Sequence, residues 1–456
     1  MSKLNRDNLR KTISYLQKNG FRNTIYAARE RLEKKETDAY TYTAPSGEEL
    51  ERQRRTVWEY PVSFDIIVPA YRTAAEYFEE MAASVLGQTY PHFRLILVDA
   101  SGREDDTVER QLRRLTDSRI QYYKLGKNLG IAENTNIGLQ LADGDYAALL
   151  DHDDVLAPDA LYEFASAIER ERERGVELKL LYSDEDKCNE DMTRFYEPHY
   201  KRDFDPDLLL TNNYICHFTA MDTKLAKKLR LRGEYDGAQD FDFFLRAVEV
   251  LKDTPEAVCH VPKVLYHWRC HDSSTAANPE SKRYAYEAGL RAVRDYCDRQ
   301  GWRARAVHLK HLGFYRVEYQ GDIFAQRTDL AAVGGSLVDR GKIVGGLMEE
   351  TKESGCKITY ENLSINYSGY MNRAVLVQQA EVLDIRCIKI RSECQNIFET
   401  VTNAPYIETI TKEGQVIFDW HTLPVETDYL RLSQELSKTL RDYGYHLLWD
   451  PWLRAE

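Results

Sequence analysis

The sequence predicts an α/β fold, a mostly parallel sheet flanked by helices. Three observations predict it. Short apolar runs alternate with helical-period segments from residue 64 onward. Gly, Pro and Asp-Gly punctuation falls between them. Polar residues with chemical potential sit where the strands end, the edge at which open parallel sheets bind ligands.

The elements follow in order. "FDIIVPAY" (64–71) reads as a buried strand and 75–88 as a helix ending near Gly87. "RLILVDAS" (94–101) is the next strand, followed by a helix at about 105–116. "IQYYKL" (120–125) is the third strand; the helix 131–142 after it stops at Asp143-Gly144-Asp145. "YAALLD" (146–151) is the fourth strand, and Pro158 opens a helix running to about 174. "LKLLYSDED" (178–186) is the fifth strand. Further on, Gly237 breaks the chain, and Phe241, Phe244 and Leu245 mark the buried side of a helix. "HVPKVLYHW" (260–268) reads as a short strand.

Around this core we expect three regions: a basic helical extension and linker (1–60), a catalytic domain (61–315) and a smaller α+β domain (316–456). In residues 1–35, ten Lys/Arg face three acids, and Leu9, Ile13, Leu16, Phe21, Ile25, Ala28 and Leu32 recur near the helical period. Such helices lie on an anionic membrane surface or pack on protein. Residues 36–60 are polar, with Pro45-Ser46-Gly47, and read as a linker.

Composition narrows the function. Hydrophobic residues are 43 % of the 456, enough for a sizeable core. The net charge of −12 argues against nonspecific nucleic-acid binding. Eight scattered cysteines without a CxxC pair read as reduced thiols of a cytoplasmic protein. No apolar run approaches the ~18–20 residues of a spanning helix, so a soluble or peripheral protein is expected. A GxGxxG after the first strand and a GxxxxGK[ST] are both absent, which disfavours dinucleotide oxidoreductases and P-loop NTPases.

The fourth strand runs straight into Asp151-His152-Asp153-Asp154. Carboxylates gathered there repel unless a cation neutralises them, and hard oxygen ligands suit Mg²⁺ or Mn²⁺. A solvated turn before an N-capped helix explains the same string equally well.

The order "FDIIVPAY", "LVDAS", "KNLGIAENTNIGLQLADGDYAALLDHDD" resembles the family 2 glycosyltransferases, inverting enzymes of the GT-A fold, over roughly 62–275. Val68, Pro69 and Tyr71 match that family's first-strand signature, Asp99 its nucleotide-contacting acid, and Asn128 and Gly130 its N-x-G segment. One departure is Ala100, where a second acid is common, which leaves the base open. The resemblance implies a nucleotide-diphosphate-sugar donor, UDP- or dTDP-linked. Pro69, Ala70, Tyr71 and Asp99 would then line the base pocket, and Lys127 or Asn128 the ribose or phosphates. Asp151, His152 and Asp153 would meet ribose and metal. Lys127 reads equally as a surface lysine, and Gly130 as a turn residue.

Transfer with inversion needs a carboxylate to take the acceptor proton. In "YDGAQDFDFFLRA" (235–247) the family pattern places that base on Asp240, after Gln239 where the family has an acid, with Asp242 as fallback. Asp240 also suits a helix N-terminus. In "YHWRCH" (266–271), His271 ranks above His267 as a metal ligand, and Arg269 reads as a phosphate clamp or a structural ion pair. Asp184 and Glu185 in "YSDEDK" read as ligands of donor or acceptor sugar, or as an exposed acidic turn, and Gln239 joins them as a sugar ligand. Asn213 or His217 of "NNYICH" faces the acceptor or packs in the core.

In the last third, 426–453 echoes 238–265: an Asp-aromatic start, an amphipathic helix, then a strand near a Pro. This suggests a degenerate half of a second transferase domain without a donor site. The resulting expectation is a metal-dependent transferase at the inner membrane face, building surface polysaccharide on a glycan or lipid-linked glycan, with a homo-oligomer left open. The rivals are a nucleotidyltransferase acting on sugar phosphates and a non-catalytic subunit of an assembly complex.

Overall fold

The computed structural model describes residues 40–270, 283–351 and 355–456. The basic segment 1–35 and His271 lie outside the described residues. Two compact units divide the rest, Tyr40–Gln320 and the chain from Gly321 to Glu456.

The first unit is built on nine strands: β1 (Phe64–Ala70), β2 (Phe93–Asp99), β3 (Ile120–Lys124), β4 (Tyr146–Leu149), β5 (Val155–Leu156), β6 (Leu180–Asn189), β7 (Phe195–His199), β8 (Thr219–Asp222) and β9 (Val258–Cys270). The sheet order is β3-β2-β1-β4-β8-β6-β9-β5, with β7 on β6. Strands β3, β2, β1 and β4 run parallel. So do β6 and β9. The two parallel sets are joined through β8, which is antiparallel to both β4 and β6. Ile66, Ile67, Val68, Leu95, Ile96 and Leu97 are wholly buried, because helices cover both faces; this is why β1 and β2 read as continuous apolar runs. The expected helices appear at Ala75–Leu86, Thr107–Leu112, Ile131–Leu141 and Ala160–Glu173. Both β7 and β8 were missed by the sequence reading, and β9 is far longer than the strand expected at 260–268.

The Asp143-Gly144-Asp145 stop has a local cause. Asp65, buried at the start of β1, accepts from Asp143 N (2.7 Å) and Gly144 N (2.6 Å). Its charge is balanced by Arg94 at 2.6 Å. The stretch expected as a linker carries a helix, Gly47–Arg54, from an N-cap at Ser46. Glu49–Arg52 and Glu51–Arg54 pair along it at 2.6 and 2.9 Å. It is docked through buried Gln53, whose Oε1 accepts from Thr89 Oγ1 at 2.8 Å.

In the second unit, strand Leu330–Asp339 pairs in parallel with His446–Ala455. It pairs antiparallel with Lys342–Gly345 at its end and Ile388–Ile390 near its start. Wholly buried Trp449 anchors this sheet, its Nε1 donating to Gly335 O at 3.2 Å. In the first unit β6 has the same neighbours: parallel β9 on one side, antiparallel β7 at its end and β8 near its start. In both units the parallel strand follows a long helix, Gln239–Val250 or Tyr429–Asp442. No helix among the described residues is long and apolar enough to cross a membrane.

Candidate active site

Strand register aligns the carboxyl edge of the first sheet. Ala70 lies opposite Asp99, and Asp99 opposite Lys124. Leu149 is level with Ile67, so the Asp151–Asp154 turn leaves the sheet beside the end of β1. Of the expected base pocket, Tyr71 is 40 % exposed while Ala70 is buried. Arg72 lies over the Tyr71 ring at 5.3 Å. Asp99 is wholly buried and fully engaged. It accepts from Tyr122 Oη and Lys124 Nζ, both at 2.8 Å, and from Ser101 N at 2.9 Å. Asp99 thus shapes the floor of this edge.

The loop before helix Ile131–Leu141 serves the backbone. Asn128 Oδ1 accepts from Gly130 N and Asn134 Nδ2, each at 2.9 Å. Gly130 has φ +92°, and a Cβ there would come 2.6 Å from Asp236 Oδ2. Asp236 in turn accepts from Ala132 N at 3.2 Å, satisfying a free donor of the helix start. Lys127 is exposed beside this turn.

Asp151, His152 and Asp153 are partly open, whereas Asp154 is buried. Asp154 is the latch of the turn: it accepts from Tyr266 Oη at 2.5 Å and Arg269 N at 2.8 Å. Burial, then the neighbouring Asp153 and Asp151, push its pKa well up. Arg269 completes the latch from β9 and corrects the phosphate-clamp expectation. Its side chain is 0 % exposed. It donates to Asp153 O at 2.6 Å and Glu190 O at 2.5 Å, and pairs with Glu80 at 2.6 Å. No face of the guanidinium is left for a ligand; Arg269 positions the acidic turn instead.

Positive charge reaches the acids from below. His217 Nε2 stands 3.9 Å from Asp151 Oδ2, and His217 Nδ1 3.1 Å from Glu185 Oε2. Burial alone would lower the His217 pKa; Glu185, then Asp151 and Asp154, reverse this and raise it to about 9. Glu185 is also buried, but Lys201, His199 and His217 outweigh the desolvation and hold its pKa well below the usual range. Lys201 lies 3.8 Å from it and donates to the carbonyls of Ile215 and His217. Asp151, with 46 % of its side chain open, remains deep among these groups. Desolvation raises its pKa, and Asp153 adds to this while His217 opposes it.

Asp240 occupies the first turn of helix Gln239–Val250, partly open, where the helix dipole favours a carboxylate. Its Oδ2 accepts from Asn213 Nδ2 at 2.8 Å. Burial, then the nearby Asp240 carboxylate, push the Cys216 thiol pKa well up. Asp240 is close enough to Asp151 to act on its charge. Gln239 turns back to accept from Gly237 N at 2.7 Å.

Other expectations are corrected by burial. Asp242, the fallback base, is 1 % exposed and paired with Arg232 and Arg246. Asp184 is buried in β6, accepting from Lys201 N at 2.8 Å and standing 2.9 Å from His260 Nε2; it is no exposed sugar ligand. His267 is buried against Asp186 at 2.6 Å. Sequence reasoning underrated His217, a residue of the connection before β8, because its partner Glu185 lies on β6, 32 residues away. It missed Asp236 for a similar reason.

Among the described residues, no three His, Cys, Asp or Glu side chains are grouped to hold a metal ion. Asp151 and Asp153 do share one partly open turn. Two carboxylates with room for waters and phosphate oxygens are a donor set that fits Mg²⁺ or Mn²⁺. The His152 Nδ1 beside them is buried without a partner.

A family model described as glycosyl transferase family 2 matches residues 65–230. An uncharacterized protein of Sinorhizobium fredii is 30 % identical over 350 residues, covering 70 % of this chain and 38 % of that protein. The O-antigen biosynthesis protein RfbC of Myxococcus xanthus is 32 % identical over 257 residues, covering 56 % of this chain and 19 % of that one. Among solved structures, S. aureus TarS with UDP-GlcNAc matches at 18 % identity and TM-score 0.40, over 51 % of this chain and 66 % of that one. The chain spans less than half the length of the two curated relatives.

Proposed function

Residues 65–230 carry a family 2 glycosyl transferase domain, and from that premise we propose that the chain transfers a sugar, with inversion, from a nucleotide-diphosphate sugar to a glycan acceptor. The single observation that carries this reading is that one connection reaches both carboxylate sites, with His217 3.9 Å from Asp151 in the partly open acidic turn after β4 and Asn213 2.8 Å from Asp240 at a partly open helix start.

The roles follow from position. Tyr71 and the β1–β2 edge receive the base. A divalent ion held by Asp151 and Asp153 would offset the charge of the diphosphate. His217, seated between Glu185 and Asp151, adds fixed positive charge from the protein side. Asp240 accepts the proton of the acceptor hydroxyl as its oxygen bonds the anomeric carbon. The bond from that carbon to the diphosphate oxygen breaks on the opposite face, and its electron pair leaves with the nucleoside diphosphate. Base assistance of this kind contributes roughly 10²–10⁴-fold.

The setting is synthesis of surface polysaccharide, which the O-antigen biosynthesis relative supports, and its place is the cytoplasmic side of the membrane. The second unit is a half-domain without a donor site; the shared arrangement around β6 and Leu330–Asp339 supports that reading. The test is a panel of UDP-, dTDP- and GDP-sugars with Mn²⁺. We expect sugar transfer with release of nucleoside diphosphate. Release of pyrophosphate from a nucleoside triphosphate and a sugar phosphate would instead establish the nucleotidyltransferase alternative.

A further inference from the structure

We propose that Asn213 is a positioning residue for the transfer step: it locks the Asp240 carboxylate so that one oxygen stays aimed at the acceptor hydroxyl. The inference rests on the reading of Asp240 as base given above.

Asn213 sits in the connection between the short helix Pro206–Leu209 and β8. Its Nδ2 donates to Asp240 Oδ2 at 2.8 Å. A carboxylate only accepts, so the amide nitrogen must face Asp240, and the orientation of the amide is fixed by chemistry. This leaves Asn213 Oδ1 buried with no partner among the described residues. A buried acceptor without a donor weakens the fold and calls for a reason. A structural asparagine would satisfy both ends. Among the described residues, the side-chain bond that sets the amide is the one to Asp240, so the orientation serves that carboxylate at the expense of the amide oxygen.

The consequence for transfer is geometric. With Oδ2 held by Asn213, the carboxylate cannot rotate freely, and Oδ1 is the oxygen left to take the proton. Asp240 is thus held by Asn213 from one side, while its own helix start fixes the backbone. Pre-orientation of a base within a fraction of an ångström is worth orders of magnitude in rate.

The experiment uses the full chain and Asn213→Ala. Nucleoside diphosphate release is followed from UDP-N-acetylglucosamine, UDP-glucose, UDP-galactose, GDP-mannose and dTDP-rhamnose with Mn²⁺, taking the donor that the wild-type chain turns over fastest. The expected result is a kcat lowered roughly 10- to 100-fold, with donor KM changed by no more than about twofold. The thermal midpoint should hold or rise, because the unpartnered oxygen is gone. A merely structural asparagine would instead lower the midpoint and disturb KM and kcat together. Unchanged kcat, or that joint loss, overturns the proposal. Asn213→Ser against Asn213→Asp makes the same comparison in a second pair: the variant that keeps a donor should retain more turnover than the one that adds a carboxylate. Asp240→Asn is measured alongside. If it turns over like wild type, the base reading itself falls; if it is inert while Asn213→Ala is intact, only the role of Asn213 falls.

Discussion

Replacing His217 with Gln should remove a pH-dependent part of the stability. In the folded chain its pKa is raised from 6.5 to about 9, burial working against Glu185, Asp151 and Asp154. The side chain is 24 % exposed, so screening is limited. A rise of that size corresponds to roughly 3 kcal/mol favouring the imidazolium in the native state. Because the folded pKa is the higher one, this stabilisation is fully present below the unfolded value near 6.5. It is lost as pH climbs toward about 9. Glu185, held well below its usual range, stays ionised across that window and adds no slope. Urea unfolding of wild type and His217→Gln in EDTA, at roughly pH 6 and pH 9.5, checks it. The advantage of wild type should shrink by up to about 3 kcal/mol between the two. An advantage that stays constant with pH would refute the charge assignment.

Three further outcomes follow from the same geometry. Arg269→Met leaves the Asp153 and Glu190 carbonyls without their buried donor, and should cost about 3 kcal/mol in urea unfolding. Gly130→Ala forces φ +92° on a residue with a Cβ and pushes that carbon against Asp236; a loss of about 1–3 kcal/mol in the same assay is expected. Mn²⁺ with the donor sugar nucleotide, at roughly 100 times Kd, should stabilise the wild-type chain by about 2.7 kcal/mol, and Asp153→Ala should abolish that gain in a thermal-shift titration.

The strands β1 and β2 were legible because a sheet covered on both faces demands unbroken apolar runs, and β3 and β4 because Gly and Asp-Gly breaks end the helices around them. The place of Asp240 at a helix start was legible through the change from Gly237 to an amphipathic helix, whereas its role as base comes from the family resemblance alone. The short β8 was not: the four residues Thr219–Asp222 have no pattern of their own, and only pairing with β4 and β6 makes them a strand. Arg269 misled for a related reason. The groups that bury it, Glu80, Glu190 and Met192, lie far away in sequence, so a cation beside two histidines looked free for phosphate. "YSDEDK" looked like a surface turn or sugar contact, because a run of acids is normally solvated. His260, Lys201, His217 and His267 compensate those acids from other segments, which periodicity cannot reveal. In the second unit, short strands and turns of one helical cycle left only the final helix and strand readable.

The proton acceptor is the centre of this account, and single-turnover kinetics of Asp240→Asn with bound donor test it most directly. Unchanged donor affinity is expected, with the transfer rate reduced by roughly 10²-fold or more. A variant that binds the sugar nucleotide and transfers the sugar at the wild-type rate would contradict it.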